Sequence, residues 1–570
     1  MMPADRAEMN QARRHADRMH PLRRSVTVMS RGIVPVLVAC AITATSPFAG
    51  ADDGHLRLAT VFSDHMVVQR DLPVRVWGTA RGGAKVNVQF AGQERSTAAA
   101  ANGDWLVTLD PLPGSAESRE LRVIAGEEAA TCADVLVGEV WLLGGQSNME
   151  MPLWWRGESD GQFNAKDTRL ALDTDHPWLR VMTVPQAVAR EPQTGFAQDR
   201  RDGDGVVTGR WHVSQDRHPA ISGFSSLGYF MAIQMHEKLG VPIGMIDTSW
   251  GGTIASAWNS RESLDSIPAA APMIARKEAA AAAWSAEGAR QRHEAALAAW
   301  EKLSAEAKAA GKQPPGKPSP EPDPAQDRNV PAGPFNAMIW PLRHLTLRGV
   351  FFYQGENNFF DKEDPFPQTF PGVVTSWRRA FGSPELPFCI FQICGWGDAD
   401  VLYQPTKLPY LQAAQHAAHR ALPHTGFVVT TDYPHVDIHP MVKRVIAERA
   451  LRWARAEVYG EKALTWGSPA LESAERTEGG MLLKFSTFGD EALLVKGQPC
   501  GLVIAGSDGA FVEAQAKVVN RTSLLVWSDK VPEPTMVRYA WSHRAICRLF
   551  SASGLPLSPF RTDDEPQGEQ

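Results

Sequence analysis

The chain has 570 residues, more than one ordinary hydrophobic core accommodates, so its length predicts several domains. A net charge of −6 at pH 7 provides no basic surplus, and no nucleic-acid partner is predicted. Tryptophan is abundant, with 18 residues against 7 tyrosines, which suits either sugar stacking or, more commonly, a buried core.

Residues 1–51 are predicted to be a signal or targeting segment. Basic residues, the last of them Arg31, precede the apolar run 33–42, and small residues follow at 49–51, as in an export signal with its cleavage site. The apolar run is too short for a stable membrane span. A second interpretation attaches a lipid to Cys40 in LVAC. We therefore expect an exported protein, periplasmic or extracellular.

The six cysteines form no CxxC motif, so neither a zinc ribbon nor a redox motif is predicted. Removal of the targeting segment with Cys40 leaves an odd number of them. One or two disulfides are expected in an exported chain, but the spacing does not fix their pairing.

The sequence pattern of two regions predicts β-structure. Residues 56–135 contain short apolar runs such as VRVWG and KVNVQF, separated by Gly, Pro and Asp, and this pattern predicts a small antiparallel β-sandwich. Residues 465–560 return to the same pattern with MLLKFST and SLLVWS. They are either a second β domain or the completion of the first.

Residues 136–460 follow an α/β pattern. Apolar runs such as VWLLG, LRGVFFYQG and FCIFQI alternate with helical segments, which predicts a parallel sheet covered by helices on both faces. An insertion at 268–328 interrupts the pattern. It begins with an Ala-, Glu- and Lys-rich helical stretch and ends in a Pro-rich surface loop.

Four segments place polar residues directly after a buried strand, where open parallel sheets form their sites. They are GGQSNM after VWLL, TSWGGT after GMID, YQGENN after GVFF, and TTDYPHVDIHP after GFVV. Together they contain a serine, paired glycines, amides, carboxylates and a histidine. These are the components of an acyl-transfer site.

Ser147 is the predicted nucleophile and His439 the predicted base, because a serine hydroxyl attacks only when a base takes its proton. Asp437 stands two residues before the histidine and is the candidate that orients the imidazole. Asp432 and His435 are a rival acid–base pair. Two alternatives stay open: the serine as a helix cap, and the four Asp and His residues as a metal site, although no zinc motif is present.

An oxyanion hole needs hydrogen-bond donors beside the nucleophile. The backbone amides of Ser147 and of Gly251 or Gly252 are candidates, since glycine lets the backbone approach closely. Gln354 or Asn357 is the candidate side-chain donor.

Along most of the predicted mature chain, the sequence resembles the sialate O-acetylesterase family of SGNH-type hydrolases. The matching stretches include FSDHMVVQRDLPVRVWGTA, DVLVGEVWLLGGQSNMEMP, IGMIDTSWGGTIASAW, LRGVFFYQGENN, DIHP and GLPLSPFRTD. The resemblance implies a flavodoxin-like α/β/α catalytic domain with a parallel sheet, flanked by accessory β-sandwich regions. It also implies a serine mechanism, without a cofactor or metal, that removes O-acetyl groups from sialic acids or other sugars.

By position, Ser147 in GQSNM matches the family nucleophile and His439 in DIHP matches the base. The GGT and QGE segments match those that build the oxyanion hole and the substrate pocket. Two positions depart from the family: Asn357 stands where a serine usually follows QGE, and Gly144 stands where a serine often precedes Gly145. The resemblance leaves open whether a carboxylate or a backbone carbonyl orients the imidazole.

The acetylated sugar is not fixed by the sequence. A sialate esterase should present a cation to the substrate carboxylate, and Arg343 and Arg348 are candidates. The same pattern also suits esterases of neutral polysaccharides such as acetyl-xylan, and a non-catalytic sugar-binding protein is the alternative of another class. The oligomeric state is left open. The predicted substrate-binding residues are Gln146, Asn148, Trp250, Gln354, Glu356, Asn357 and Arg343.

Overall fold

The structure is a computed structural model, and the predicted targeting segment with Cys40 lies outside the residues that it describes. No helix within the described part is long and apolar enough to cross a membrane. The described residues are 54–154, 172–197, 208–215, 218–488 and 492–563.

The first β region is mainly antiparallel and forms two sheets. β1, β3 and β6 make one sheet, and β4, β5 and β7 join the long strand β8, while β2 runs parallel to β8. In β6 every second residue is buried, as expected for a strand with one face on a core. These strands are β1 (Arg57–Leu58), β2 (Val67–Gln69), β3 (Val74–Thr79), β4 (Lys85–Phe90), β5 (Gln93–Ala98), β6 (Asp104–Leu109), β7 (Ser115–Ala125) and β8 (Glu128–Gly145).

Strand β8 belongs to two regions at once. Its first half pairs with β7, whereas its second half runs parallel to β11 (Ile243–Asp247) and β12 (Gly349–Tyr353). From Val135 to Gly145 every residue is buried. The boundary that the sequence predicts between residues 135 and 136 therefore falls inside one continuous strand.

The central sheet is mixed. Five of its parallel strands, β11, β8, β12, β13 (Phe388–Phe391) and β14 (Thr425–Val428), are adjacent in that order, which is 2-1-3-4-5 when these five are numbered along the chain. β9 (His176–Thr183) lies parallel beside β11, and β10 (His212–Ser214) pairs antiparallel with β9 at the edge. All residues of β11 to β14 are buried, as in strands covered on both faces.

Helices lie on both faces of this sheet. Neighbouring residues of a strand point to opposite faces, and in β12 the ring centroid of Phe352 lies 5.5 Å from that of Trp377, whereas the centroid of Phe351 lies 6.4 Å from that of Trp453. The two tryptophans belong to different helices, which therefore cover opposite faces. Trp377 also occupies the space that a side chain at Gly144 would need.

The helices are numbered in chain order through the described residues. Helix α3 (Ser226–Leu239) is capped by the Ser225 hydroxyl at its start and ends at a left-handed Gly240. The helices are α1 (Ser147–Glu150), α2 (Pro219–Ser222), α3 (Ser226–Leu239), α4 (Arg261–Asp265), α5 (Ala271–Ala283), α6 (Ala286–Ala309), α7 (Glu356–Phe360), α8 (Phe366–Ala380), α9 (Lys407–Ala421) and α10 (Lys443–Trp453).

The insertion consists of the helices α5 and α6 followed by a Pro-rich segment. Helix α6 buries only Ala289 and Ser304, so most of its surface faces solvent. The Pro-rich segment folds back on this helix, since the Trp300 indole donates to the Pro315 carbonyl.

The second β region forms its own sheets and its own core, in which Leu483, Leu524 and Tyr539 are fully buried. In the described part it is therefore a separate β region, and the alternative that it completes the first one is wrong. Its strands are β15 (Ala470–Thr477), β16 (Gly480–Ser486), β17 (Leu493–Val495), β18 (Leu502–Ala505), β19 (Val512–Glu513), β20 (Gln515–Asn520), β21 (Ser523–Trp527), β22 (Met536–Tyr539), β23 (Leu549–Ser551) and β24 (Phe560–Arg561).

The described cysteines are free thiols, so the expected disulfides do not form among them. All are buried and fill core positions as small apolar side chains. They are Cys132, Cys389, Cys394, Cys500 and Cys547.

Candidate active site

The nucleophile candidate follows a sharp turn at the end of the central strand. Gly145 has φ 118°, and a Cβ there would lie 2.0 Å from the Tyr353 carbonyl oxygen, so only glycine fits. Helix α1 begins at Ser147, and the residue before it, Gln146, makes no side-chain cap. Ser147 is thus not a helix cap, and its hydroxyl is available for another contact.

That contact is with the predicted base. The Oγ atom of Ser147 lies 2.9 Å from Nε2 of His439, across 292 positions of the chain. The carboxylate of Asp437 accepts the backbone amide of His439 at 2.7 Å and lies 3.5 Å from its Nδ1 atom. It also lies 3.2 Å from Nδ1 of His435. The Ser147 hydroxyl, the His439 imidazole and the Asp437 carboxylate therefore lie in a row, although Ser147 is distant from the other two in sequence.

The rival pair does not form. Both carboxylate oxygens of Asp432 are bound by Arg449, at 2.8 and 2.7 Å, so this aspartate cannot orient His435. Asp432 is thus paired with Arg449, whereas Asp437 lies beside both His435 and His439. Within the described residues, no group of three or more His, Cys, Asp or Glu is arranged to hold a metal ion.

The paired glycines lie against the nucleophile, since a Cβ built on Gly251 would lie 3.4 Å from that of Ser147. The amide of Gly251 donates to the Glu150 carboxylate. The prediction that Gly251 is an oxyanion-hole donor is therefore wrong, because its single N–H already donates to Glu150. Gly252 has φ 76°, a conformation that favours glycine, and its carbonyl accepts from the side chain of Asn357 at 2.7 Å.

The prediction that Gln354 is an oxyanion-hole donor is also wrong. Its amide nitrogen donates to the Thr253 carbonyl at 2.7 Å and lies 3.3 Å from the side-chain oxygen of Gln146, and the residue is fully buried. In the part of the chain that the structure describes, the amides of Ser147 and Gly252 make no hydrogen bond. These two N–H groups remain the available donors.

A buried polar network supports the nucleophile. Asn148 donates to the carboxylate of Glu356 and, at 2.8 Å, to the carbonyl of Ile438, the residue before the base. Its side-chain oxygen accepts from Lys443 at 2.7 Å. Burial raises the pKa of Glu356 to about 7 despite the hydrogen bond from Asn148, and burial lowers the pKa of Lys443 to about 8. The network joins three strand-end segments beneath the serine.

Several predicted substrate contacts are therefore corrected. Gln146, Asn148 and Glu356 are at most 1% exposed and bind one another, so they support the site and do not line it. Asn357 is half-buried and holds Gly252.

The two predicted pocket arginines lie at the other edge of the sheet. Both precede β12, whose carboxyl end carries the site. Arg343 bonds to the Trp340 carbonyl and stacks on its ring. Arg348 pairs with the fully buried Glu139 at 2.8 Å. Neither arginine lies near the serine, because the extended strand β12 separates both of them from the QGE segment.

A cavity of about 590 Å³ adjoins the nucleophile segment. Trp250, one of the predicted sugar contacts, lines it together with Glu150, Gln186, Ser249 and Gln326. Sequence reasoning missed Gln326 and also Arg328, which donates to the Gly251 carbonyl, since no motif marks the end of the Pro-rich insertion. Glu150, in contrast, lies within the stretch DVLVGEVWLLGGQSNMEMP, shortly after the predicted nucleophile, so its position in the motif marks it.

No protein-family profile matches the chain. It is 26% identical over 561 residues to a sialate O-acetylesterase of Rattus norvegicus, covering 88% of this chain and 94% of the relative. Identity to a sialate O-acetylesterase of Homo sapiens is 27% over 546 residues, with 88% and 92% covered. A solved structure of a carbohydrate acetylesterase from Xanthomonas citri superposes with a TM-score of 0.68 at 29% identity, covering 89% of this chain and all of that one.

Fold, site and relatives together define a carboxylic-ester hydrolase of the carbohydrate-esterase type. More particularly, the chain resembles the sialate O-acetylesterases over most of its length, which confirms the resemblance predicted from the motifs.

Proposed function

We propose that this enzyme removes O-acetyl groups from acetylated sialic acids through an acetyl-serine intermediate, on an SGNH-type, flavodoxin-like core. The observation that carries the proposal is the 2.9 Å contact between Ser147 Oγ and His439 Nε2 at the carboxyl edge of the parallel strands. The strand order 2-1-3-4-5 supports the flavodoxin-like core. The names of the curated relatives support the sialate substrate.

In the first step, Nε2 of His439 takes the hydroxyl proton while Ser147 Oγ forms a bond to the acetyl carbonyl carbon. The carbonyl oxygen becomes an oxyanion, for which the amides of Ser147 and Gly252 are the donors. The bond between the acetyl carbon and the sugar oxygen then breaks. The imidazolium of His439 gives its proton to that oxygen, and the sugar leaves with a free hydroxyl.

In the second step, His439 takes a proton from water, and the hydroxide oxygen attacks the acetyl-serine carbonyl. The same donors stabilise the second oxyanion. The bond to Ser147 Oγ breaks, Oγ regains a proton from His439, and the product leaves as acetic acid, which ionises to acetate in solvent. Asp437 accepts the amide of His439 and lies beside its ring, where a negative charge stabilises the imidazolium of both steps.

The substitution Ser147→Ala tests the proposal. We expect acetate release from O-acetylated sialic acid to fall by at least about a thousandfold, because the substitution removes the hydroxyl that His439 contacts. Acetate is measured with purified protein whose circular dichroism matches the wild type. The matched control is Ser266→Ala, since the Ser266 hydroxyl only bonds the Ser263 carbonyl at the end of α4.

Unchanged acetate release by Ser147→Ala contradicts the serine mechanism. A folded wild type that binds acetylated sugar but releases no acetate from any ester favours the non-catalytic sugar-binding alternative.

A further inference from the structure

An exposed cation lies beside the nucleophile segment. The side chain of Arg328 donates through Nη1 to the carbonyl of Gly251 at 2.6 Å, and its guanidinium carbon lies 5.7 Å from the ring centroid of Trp250. Gly251 itself contacts Ser147. Arg328 thus contacts Gly251, which in turn lies against Ser147. Its guanidinium is next to Trp250, which lines the cavity.

The charge of Arg328 is not neutralised within the part of the chain that the structure describes, where it makes no ion pair. The carboxylates that line the cavity are already bound elsewhere. Glu150 accepts from the Gly251 amide and from the Gln186 side chain, and Asp247 is buried and accepts from the Ser249 hydroxyl and amide. Arg328, which lies against the Trp250 ring beside the cavity, is therefore a cation whose remaining donors have no acceptor among the described residues.

The position of Arg328 is fixed by its neighbour in the chain. Asn329 accepts the Ile254 amide at 2.8 Å and donates to the Gly252 carbonyl at 3.1 Å, and Lys277 of helix α5 donates to the Asn329 carbonyl at 3.0 Å. The end of the insertion is thus fastened to the loop of paired glycines. A guanidinium held at both its backbone and its tip loses little further freedom on binding.

We propose that Arg328 binds the carboxylate of the acetylated sugar and so gives the enzyme its preference for acidic substrates. Nη1 keeps one hydrogen after its bond to Gly251, and Nη2 and Nε keep theirs, which matches the paired oxygens of a carboxylate. A neutral acetylated sugar offers no such partner. This inference rests on the proposed function and assigns its specificity to a residue that no motif marks.

The test compares two substrates that differ only in charge, O-acetylated sialic acid and its 1-carboxamide, with acetate release as the readout. We expect the wild type to favour the acid in kcat/KM by about tenfold or more. Arg328→Gln should reduce kcat/KM for the acid more than for the amide, mainly through KM, and bring the two substrates close together. Arg328→Lys, which keeps the charge without the planar fork, should lie between them.

The ratio of the two substrates isolates the carboxylate contact, because the bond from Arg328 to Gly251 serves both substrates equally. The matched control is Arg290→Gln, an exposed arginine of the same insertion that pairs with Glu287 on helix α6. We expect this variant to keep the wild-type ratio.

Two results overturn the inference: a wild type that cleaves both substrates equally, or an Arg328→Gln enzyme that keeps the preference for the acid. In both cases acetate is still released and the proposed function stands. A wild type that releases acetate from neither substrate overturns the proposed function as well.

Discussion

At the scale of single residues, Asp437 lies between two imidazoles. It is 3.5 Å from Nδ1 of His439 and 3.2 Å from Nδ1 of His435, and about a third of its side chain, 36%, is exposed. A carboxylate buried against the base stabilises the imidazolium strongly, whereas solvent screens one that is partly exposed. Its contribution should therefore be smaller than that of a fully buried aspartate in the same role.

We predict that Asp437→Ala lowers kcat for acetate release by roughly tenfold to a hundredfold and changes KM less, since the carboxylate acts on the imidazolium of the reaction. Steady-state kinetics on an acetyl ester measure both constants. Asp432→Asn is the control, because Asp432 pairs with Arg449 and not with a histidine. It should lower stability and leave the pH profile of kcat unchanged. Wild-type kcat in Asp437→Ala would instead assign the orientation of the imidazole to another group.

At the scale of elements, the site depends on segments that follow different strands and meet at one amide side chain. Asn148 lies in α1, directly after β8. It bonds Glu356 at the start of α7 after β12, Ile438 after β14, and Lys443 at the start of α10. Its bond to the Ile438 carbonyl fixes the backbone immediately before the base. We infer that Asn148 fixes the position of the His439 segment relative to Ser147.

We predict that Asn148→Ala lowers kcat by about tenfold to a hundredfold, because a displacement of the base by a fraction of an ångström weakens the contact with the serine. The free energy of unfolding should fall by about 1–3 kcal/mol, since buried partners lose their hydrogen bonds. Kinetics and urea denaturation measure the two effects.

Asn259→Ala is the matched control for this variant. Asn259 is equally buried and donates to the carbonyls of Ala255 and Thr369, so its loss should lower stability by a similar amount without the decrease in kcat. Equal decreases of kcat in both variants would mean that Asn148 affects catalysis only through the stability of the fold.

At the scale of the whole molecule, the first β region and the catalytic sheet share strand β8 and one hydrophobic core. A fully buried carboxylate lies at the junction. Glu139 accepts from Arg70 of the first β region at 2.5 Å and from Arg348, which leads into β12, at 2.8 Å. The two parts should therefore lose their structure together.

We predict that Glu139→Ala lowers the free energy of unfolding by about 3 kcal/mol, because it leaves two arginines without their shared partner. KM for an acetyl ester should stay unchanged in the folded enzyme, since the junction lies at the opposite edge of the sheet from the serine. Denaturant titration gives the stability. Glu461→Ala is the control, because Glu461 forms a surface pair with Arg455 and its loss should cost less than about 1 kcal/mol. A loss of similar size in both variants would contradict the role of the junction.

The sequence by itself determined the class of structure and the chemistry of its strand ends. Local apolar runs identified the buried strands, and the polar residues after them pointed to Ser147 and His439, because parallel strands end at one edge of a sheet. Those signals are local, and hydrophobic periodicity carries them directly. The long motif matches added the resemblance to carbohydrate esterases.

Tertiary structure alone decided which polar side chains are buried beneath Ser147 and which lie beside the cavity. Gln146, Asn148 and Glu356 belong to the same motifs as the serine, yet they turn inward, because adjacent residues of a tight turn point in different directions. Arg343 stands close to QGE in sequence and far from it along an extended strand, whereas Arg328 comes from an insertion and reaches Gly251. Such contacts join residues many positions apart, so they depend on how the insertion and the strand-end loops pack, and no local pattern encodes that packing.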